Sequence, residues 1–172
     1  MAESETIEME SFRQPEIKVA TFKDLSLLEK ALPSSFHHQR LQRQNAGKST
    51  YLVAWIDGSP VGNLDLRWSG NEQPAVVEKF PNCPELNGIE VCRERRSRGI
   101  GSALIEAAES QAKEKGYTVV GMGVDTTNDR AKELYLKLGY EVKMPYVDRW
   151  VENNDNGQKI HEDACEWLVK DL

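Results

Sequence analysis

A run of arginines and glycines lies between an apolar strand pattern and a long amphipathic helix pattern. The residues Arg96-Ser-Arg-Gly99-Ile-Gly101 follow a predicted strand over 86–92 and open a helix that begins at Ile100. Glycine lets backbone amides approach an anion closely, and a helix N-terminus presents unpaired N–H donors and a positive dipole end. Arginine side chains add charge-assisted hydrogen bonds to phosphate oxygens. The segment therefore predicts a site for a small anionic group, with a diphosphate as its natural occupant.

Two other phosphate-binding motifs are excluded by the residues at their required positions. The dinucleotide fingerprint GxGxxG fails because Leu104 stands where the third glycine is needed. The residues Gly47-Lys48-Ser49 resemble the end of a P-loop, but Gln42 occupies the first glycine position. A strand pattern also follows that segment, whereas a P-loop opens a helix.

A second motif lies downstream, in the sequence Asn128-Asp-Arg-Ala-Lys-Glu-Leu-Tyr135-Leu-Lys-Leu-Gly139-Tyr140. Together the two segments resemble the GNAT N-acetyltransferase family, whose motifs are R/Q-x-x-G-x-G/A and N-x-x-A-x-x-L-Y-x-x-x-G-[FY]. The resemblance covers residues 16–172 in predicted topology, with close sequence agreement over 86–140. It implies an enzyme of the acyltransferase class that uses acetyl-CoA (coenzyme A) as co-substrate.

The resemblance implies where the coenzyme A is held. The strand 89–93 would part from its neighbour 118–124, so that the cofactor arm pairs with the backbone of Val91 and Arg93. A backbone N–H near Val91 would polarise the thioester oxygen, and Asn128 would lie near the arm. The diphosphate would be enclosed by Arg96, Ser97, Arg98, Gly99, Ile100, Gly101 and Ser102.

The same likeness assigns Tyr135 as the acid that protonates the departing sulfur. A tyrosine with an ordinary pKa near about 10 keeps its proton at neutral pH and can therefore donate it. Tyr135 also lies on the apolar stripe of Ala131, Leu134 and Leu138, so it could equally be a core aromatic residue.

The general base has several candidates. Glu85 lies at the start of the central strand, at a spacing similar to that of the histone acetyltransferase glutamate. Glu90 lies five residues later, so strict strand alternation puts the two on opposite faces. Asp125 at the end of the next strand is a third candidate. Several members of the family deprotonate the amine through water, so the base need not be a side chain.

The elements that must position these residues form an alternating pattern typical of an α/β protein. The fold class is α/β (an α+β mixed sheet), with a central sheet flanked by helices in the order β-α-α-β-β-β-α-β-α-β-β. Residues 1–15 are predicted to be an acidic, disordered tail, and residues 16–172 the GNAT domain. Predicted strands span 16–22, 51–57, 60–68, 86–92, 117–124, 140–151 and 164–172, predicted helices span 25–32, 34–44, 100–115 and 129–138, and residues 69–85 are predicted to be a loop.

Composition limits the class of protein. The chain has 172 residues, with 22 basic and 28 acidic side chains, so the formal charge is 22 − 28 = −6. This acidity argues against a nucleic-acid partner, since such proteins neutralise phosphates with a basic surface. No apolar run is long enough for a membrane span, and the N-terminus lacks the features of a secretory signal. Cys83, Cys92 and Cys165 form no metal or disulfide pattern, so we expect a cytoplasmic protein without a metal.

The predicted reaction moves the acetyl group of acetyl-CoA to a primary amine of a small molecule or peptide, by direct attack in a ternary complex. Acidic and aromatic residues in the segments that shape the acceptor pocket suit a cationic acceptor. The alternatives are a non-catalytic acyl-CoA sensor of the same fold and an RNA-binding adaptor that uses the arginine-rich loop. A homodimer is left open. The acceptor-side residues are Asp65, Trp68, Glu72, Glu78, Glu85 and Trp150.

Overall fold

The computed structural model describes residues 13–172 as a mixed β-sheet with helices on both faces. The strands are β1 (Glu16–Val19), β2 (Ser49–Ile56), β3 (Ser59–Arg67), β4 (Glu85–Val91), β5 (Val119–Asp125), β6 (Glu141–Asn154) and β7 (Gly157–Asp171). The helices are α1 (Leu25–Ala31), α2 (His37–Asn45), α3 (Pro74–Lys79), α4 (Ile100–Glu114) and α5 (Asp129–Lys137), with short 3-10 turns at Phe22–Asp24 and Arg93–Arg95. Residues 1–12 of the predicted tail lie outside the described residues.

The sheet has the strand order β1-β2-β3-β4-β5-β7-β6. All neighbouring strands are antiparallel except β4 and β5, which run parallel.

The predicted mixed α/β fold is confirmed, and the predicted helices and strands are present with shifted ends. One prediction is wrong: α3 lies within the stretch 69–85 that was expected to be a loop. Pro74 is the first residue of this helix, where its missing N–H costs nothing.

Two apolar layers bury the faces of the sheet. On one face, α4 packs Leu104, Ile105 and Ala108 against β2, β3 and β4, and all three are fully buried. On the other face, α1 and α2 cover Tyr51 and Val53 of β2 with the leucines Leu28, Leu32 and Leu41. The apolar stripe predicted for α4 therefore faces the core, as its helical spacing requires.

The strands β4 and β5 part soon after they meet. They pair at a single register position in the described chain, Glu85 with Gly121, and the amide of Gly121 donates to the carbonyl of Pro84 at 2.9 Å. Beyond this contact β4 continues to Val91 and β5 to Asp125. The structure thus contains the predicted separation of these two strands, and one edge of β4 is open along 89–91.

A β-bulge in β4 changes which side chains share a face. Asn63 of β3 is opposite Glu90, whereas Asp65 is opposite Asn87, so residues 88 and 89 together face one residue of β3. Gly88 adopts a φ of 60°, a left-handed conformation that glycine accepts without strain. The extra residue shifts the alternation of side chains by one position. Glu85 and Glu90 therefore lie on the same face of the sheet. The prediction that they lie on opposite faces is wrong.

Candidate active site

A cavity of about 580 Å³ lies where β4, the N-terminus of α4 and α5 converge. It brings together most of the residues that the sequence predicted for coenzyme A. Those that line it are Val91, Arg96, Ser97, Gly99, Ile100, Gly101, Ser102 and Asn128, together with the predicted catalytic residues Glu90 and Tyr135. We refer to this space as the first cavity.

The loop before α4 is shaped to present backbone donors. Ser97 and Gly99 have φ values of 62° and 78°, and Gly99 is the N-cap of α4. The carbonyl of Gly99 accepts from the amide of Ala103 at 3.0 Å, which begins the helical hydrogen-bond pattern. The amides of the first helical turn, at 100–102, therefore have no acceptor within the helix and lie at the cavity wall. Arg130 of α5 donates to the hydroxyl of Ser97 and so joins the loop to α5.

The lining of the first cavity fits a diphosphate. A Cβ atom placed on Gly101 would lie 3.8 Å from Leu134 Cδ2 and 3.9 Å from Val91 Cγ2, and both of these residues line the cavity. Any longer side chain at Gly101 would therefore occupy the cavity itself. The cations on its wall are Arg95, Arg96, Arg130 and Lys137, of which sequence reasoning identified only Arg96. These cations and the first-turn amides can neutralise and hydrogen-bond phosphate oxygens.

Two predicted cofactor residues do not line this cavity. Arg93 begins the 3-10 turn after β4, and its carbonyl accepts from the amide of Arg96 at 3.4 Å, so the strand ends before it. Arg98 is exposed between the two left-handed residues of the loop and is likewise absent from the wall. Val91 is the last strand residue. The amide of Cys92 donates to Val61 of β3 at 2.8 Å, so alternation directs the amide of Val91 to the open edge of β4.

The helix α5 positions both residues of the second motif. The side-chain oxygen of Asn128 accepts from the amide of Ala131 at 3.2 Å and caps the helix. Tyr135 is only 9% exposed, and burial raises the pKa of its phenol. Its ring makes an edge-on contact with Tyr140, with the ring centroids 6.4 Å apart. Tyr135 therefore belongs to the core and to the cavity wall at once.

A second cavity of about 500 Å³ lies on the face of the sheet that carries α2. Glu85 and Asn87 of β4 line it, so one strand contributes to both cavities. The other lining residues are Phe36, Gln39, Arg40, Arg43, Arg67, Asn71, Glu72, Gln73, Asp148, Arg149, Trp150 and Val151. We refer to this space as the second cavity.

Glu85 is the most perturbed carboxyl group of the second cavity. It is 3% exposed, and burial raises its pKa from 4.5 to about 7, although Arg67 and Asn71 oppose the shift. The amide nitrogen of Asn71 donates to Glu85 Oε1 at 2.8 Å, and Arg67 Nη1 lies 4.0 Å from Glu85 Oε2. Sequence reasoning missed Asn71, because no spacing rule relates the loop before α3 to the start of β4.

The other two candidate bases lie elsewhere. Glu90 lines the first cavity rather than the second. Asp125 lines neither, and its carboxylate accepts from the hydroxyl of Thr127 at 2.6 Å and from the Thr127 amide at 2.8 Å. These hydrogen bonds lower the pKa of Asp125, and the bond from the Thr127 hydroxyl has the larger effect. Asp125 therefore stabilises the turn before α5.

Half of the predicted acceptor-side residues do not face the second cavity. Asp65 is fully buried and accepts from Arg43 at 2.6 Å and from Arg67 at 3.3 Å. Trp68 stacks on Tyr117, with ring centroids 5.8 Å apart. Glu78 is exposed on α3 and does not line the cavity. Glu72, Glu85 and Trp150 do line it.

The second cavity is not the acidic pocket that the sequence suggested. Four arginines reach its wall, at positions 40, 43, 67 and 149, and they come from α2, β3 and β6. The carboxyl groups on the wall are Glu72, Glu85 and Asp148, and burial raises the pKa of the latter two. Both signs of charge therefore line the cavity.

Two further structural findings concern metals and membranes. Over residues 13–172, no three His, Cys, Asp or Glu side chains converge to hold a metal ion. None of the helices in that same range combines the length and apolar character of a membrane span.

The fold and site define an α/β protein with a loop rich in glycine and arginine before α4 and a buried carboxyl group in β4. Its sequence matches the acetyltransferase (GNAT) family over residues 16–140. This match covers most of the chain, which therefore belongs to that family.

Among curated proteins, the chain is similar to an uncharacterized N-acetyltransferase of Methanocaldococcus jannaschii. The two are 36% identical over 95 residues, which is 54% of this chain and 39% of the relative. Across three such relatives the matched segments span between 32% and 51% of the relatives' own lengths. The chain thus corresponds to only part of the curated relatives that it matches.

Solved structures share the fold over nearly the whole chain. A ribosomal-protein-alanine N-acetyltransferase from Brucella melitensis aligns with a TM-score of 0.68 and 24% identity, covering 91% of this chain and 99% of that one. A PaiA N-acetyltransferase from Thermoplasma acidophilum, solved in complex with coenzyme A, aligns with a TM-score of 0.65 and 18% identity. That alignment covers 93% of this chain and 100% of that one. These likenesses establish the fold.

Proposed function

We propose that the protein is an N-acetyltransferase that moves the acetyl group of acetyl-CoA to a primary amine. The acceptor is a small molecule or peptide, and the amine attacks directly in a ternary complex. The observation that carries this proposal is that β4 lines both cavities, through 89–91 in the first and through Glu85 and Asn87 in the second. Two substrates held at successive parts of one strand can meet at its open edge.

The first cavity would hold the co-substrate. Acetyl-CoA, when bound, supplies an acetyl group activated as a thioester. The first-turn amides of α4 and the cationic wall would bind its diphosphate. The amide of Val91, directed to the open edge of β4, would donate a hydrogen bond to the thioester oxygen, on which negative charge develops during attack.

Proton transfers complete the reaction. An alkylammonium group must lose a proton before its nitrogen can attack, and Glu85, with a pKa of about 7, can accept it. As the new C–N bond forms and the C–S bond breaks, Tyr135 would donate its phenolic proton to the departing sulfur, and the second proton that the nitrogen loses on becoming an amide would return to the phenolate. The raised pKa of Tyr135 keeps that proton in place at neutral pH.

An assay of free thiol release tests the proposal. The chain is incubated with acetyl-CoA and a panel of primary amines, and thiol is measured with and without each amine. Release that requires an amine, and that yields the N-acetylated product by mass spectrometry, supports the proposed function.

Two other results would contradict it. Thermal stabilisation by acetyl-CoA without thiol release for any amine would indicate an acyl-CoA sensor. Binding of RNA that competes with coenzyme A would indicate the adaptor.

A further inference from the structure

Arg40 of α2 lies in the wall of the second cavity, with its side chain buried and only partly hydrogen-bonded. Its side chain is buried, with 7% of the residue exposed, and its Nη1 has no hydrogen-bond partner in the described chain. The guanidinium lies over Gly88 at the bulge of β4. A Cβ atom on Gly88 would collide with Nη2 and would lie 3.0 Å from Cζ. The missing side chain of Gly88 therefore makes the space that Arg40 occupies.

Among the described residues, no carboxylate lies within ion-pair distance of Arg40, although Glu90 lies on the same face of β4. No ion pair joins Arg40 to a residue between 13 and 172, and its Cζ lies 5.6 Å from the ring centroid of Tyr51. Asp65, a buried carboxylate of the same face, is engaged by Arg43 and Arg67. Glu85 is too readily protonated to act as a permanent counter-charge. A buried guanidinium N–H without an acceptor is costly, so an oxyanion that reaches it is bound strongly.

The distance along β4 shows how far Arg40 lies from Glu85, the proposed base. Gly88, beneath Arg40, is three residues along β4 from Glu85, which is roughly 10 Å of strand at about 3.3 Å per residue. Both groups line the same cavity. A ligand with an amine near Glu85 and an oxyanion at Arg40 would therefore span a few carbon–carbon bonds.

We propose that Arg40 binds a carboxylate of the acceptor, so that the acceptor is an amino carboxylate rather than a polyamine. This inference rests on the proposed function, because it specifies the substrate class of the same site. The planar guanidinium fork matches a carboxylate in geometry as well as charge. The wall carries both signs of charge, which suits a zwitterion better than a polycation.

Ligand-detected NMR titration of the full chain tests this directly. The probes are ω-amino carboxylates with two to six carbons between the two groups, the alkylamines of equal length, and the corresponding carboxamides. We expect at least one amino carboxylate to bind roughly 10-fold or more tightly than its alkylamine, as a charge-assisted hydrogen bond implies. Equal affinity of the carboxylate and alkylamine, or binding of none of the probes, would overturn the proposal. So would a carboxamide that binds as well as its carboxylate.

Three variants assign the preference to Arg40. Arg40→Gln should reduce the affinity of the amino carboxylate roughly 10-fold and leave that of the alkylamine unchanged. Gly88→Ala should do the same by displacing the guanidinium without changing the charge, which keeps the test available if Arg40→Gln does not fold. Arg149→Gln, a charge-matched control on the same wall, should preserve the preference. Equal loss in Arg149→Gln would show a general charge effect and overturn the assignment.

The thiol-release assay separates this inference from the proposed function. Amine-dependent release with alkylamines, but no preference for carboxylates, would contradict only the role of Arg40. Binding of amino carboxylates that depends on Arg40, without thiol release from any amine, would contradict only the enzymatic activity.

Discussion

At the scale of single residues, the most informative group is Glu85. Its carboxyl is removed from water, and its two polar neighbours, Asn71 and Arg67, only partly compensate for the lost hydration. A carboxyl group in this setting exchanges protons near neutral pH, which is the property that a general base requires. Burial therefore gives this side chain a chemical property that its sequence position alone does not.

The pH dependence of activity should reveal this group. Below pH 7, Glu85 is increasingly protonated and cannot accept a proton, so kcat/KM of the wild type should fall about 10-fold per pH unit. The acceptor amine titrates too, and the Glu85→Gln variant corrects for it. The ratio of wild-type to variant kcat/KM, measured from pH 5 to 9, should rise to a plateau above about pH 7. A ratio that is constant with pH would exclude Glu85 as the base.

Stability should change in the opposite direction. The pKa of Glu85 is higher in the folded chain (about 7) than its ordinary value of 4.5, so the folded state binds the proton more tightly. The free energy of unfolding therefore decreases as pH rises from about 4.5 to 7, by roughly 2–4 kcal/mol from this group. Glu85→Gln should be more stable than the wild type by about that amount at pH 8 and similar to it at pH 4.5. Urea unfolding at both pH values measures this, and equal differences would contradict the assignment.

Tyr135 can be tested against a neighbouring tyrosine. Tyr135→Phe removes the proposed proton donor and should lower kcat on the order of 100-fold, with little change in coenzyme A affinity. Tyr140→Phe is the matched control, because its ring contacts Tyr135 and its hydroxyl instead donates to Glu109 at 2.8 Å. That variant should lose about 1 kcal/mol of stability and retain kcat. Stopped-flow and steady-state assays give kcat, and similar losses in both variants would indicate a structural role for Tyr135.

At the scale of elements, the N-terminus of α4 should bind the diphosphate through its backbone. Gly99 and Gly116 flank α4, both have left-handed φ values, and a Cβ atom on either meets nothing within 4 Å. Gly99→Ala and Gly116→Ala should therefore destabilise the chain by a similar amount, about 1 kcal/mol. Only Gly99→Ala should weaken coenzyme A binding, by roughly 10-fold in a calorimetric titration. Equal affinities in the two variants would exclude this loop as the diphosphate site.

Most elements could be predicted from the sequence, and the exceptions have physical causes. The apolar face of α4 and the extent of α5 follow from local patterns, and the structure contains both. The helix α3 was missed because its proline suggests a loop, although proline is well suited to the first turn. The bulge at Gly88 was missed because its signal is the register of β3 against β4, which strand alternation alone does not reveal. The helix α3 depends on the position of its proline within the element, and the bulge depends on strand pairing. Residue type alone determines neither feature.

At the scale of the whole molecule, the two cavities take their walls from different parts of the chain. The predicted cofactor residues and Tyr135 lie in two stretches of sequence, 91–102 and 128–135, and most of them line the first cavity. The wall of the second cavity comes from α2, the loop before α3, and strands β3, β4 and β6. Its arginines converge only in the folded chain. Sequence spacing could therefore not predict the mixed charge of the second cavity.

Ligand binding should stabilise the whole fold. A compound that binds only the folded state at about 100 times its dissociation constant adds roughly 2.7 kcal/mol to the free energy of unfolding. For a chain of this size, coenzyme A should therefore raise the midpoint of thermal unfolding by several degrees. Scanning calorimetry measures the shift, and raised salt should reduce it, because phosphate contacts to arginine are screened. No shift at saturating coenzyme A would contradict the proposed site.

The order of elements along the chain also bears on biosynthesis. The strands β1–β4 precede α4, and α4 packs on β2, β3 and β4, so this layer is complete in sequence by Glu114. Because the chain is synthesised from its N-terminal end, all the residues of this layer have been joined before the remainder is translated. The loop that presents backbone amides is then synthesised before Tyr135. The proposed phosphate-binding loop is therefore complete in sequence before the proposed proton donor has been added.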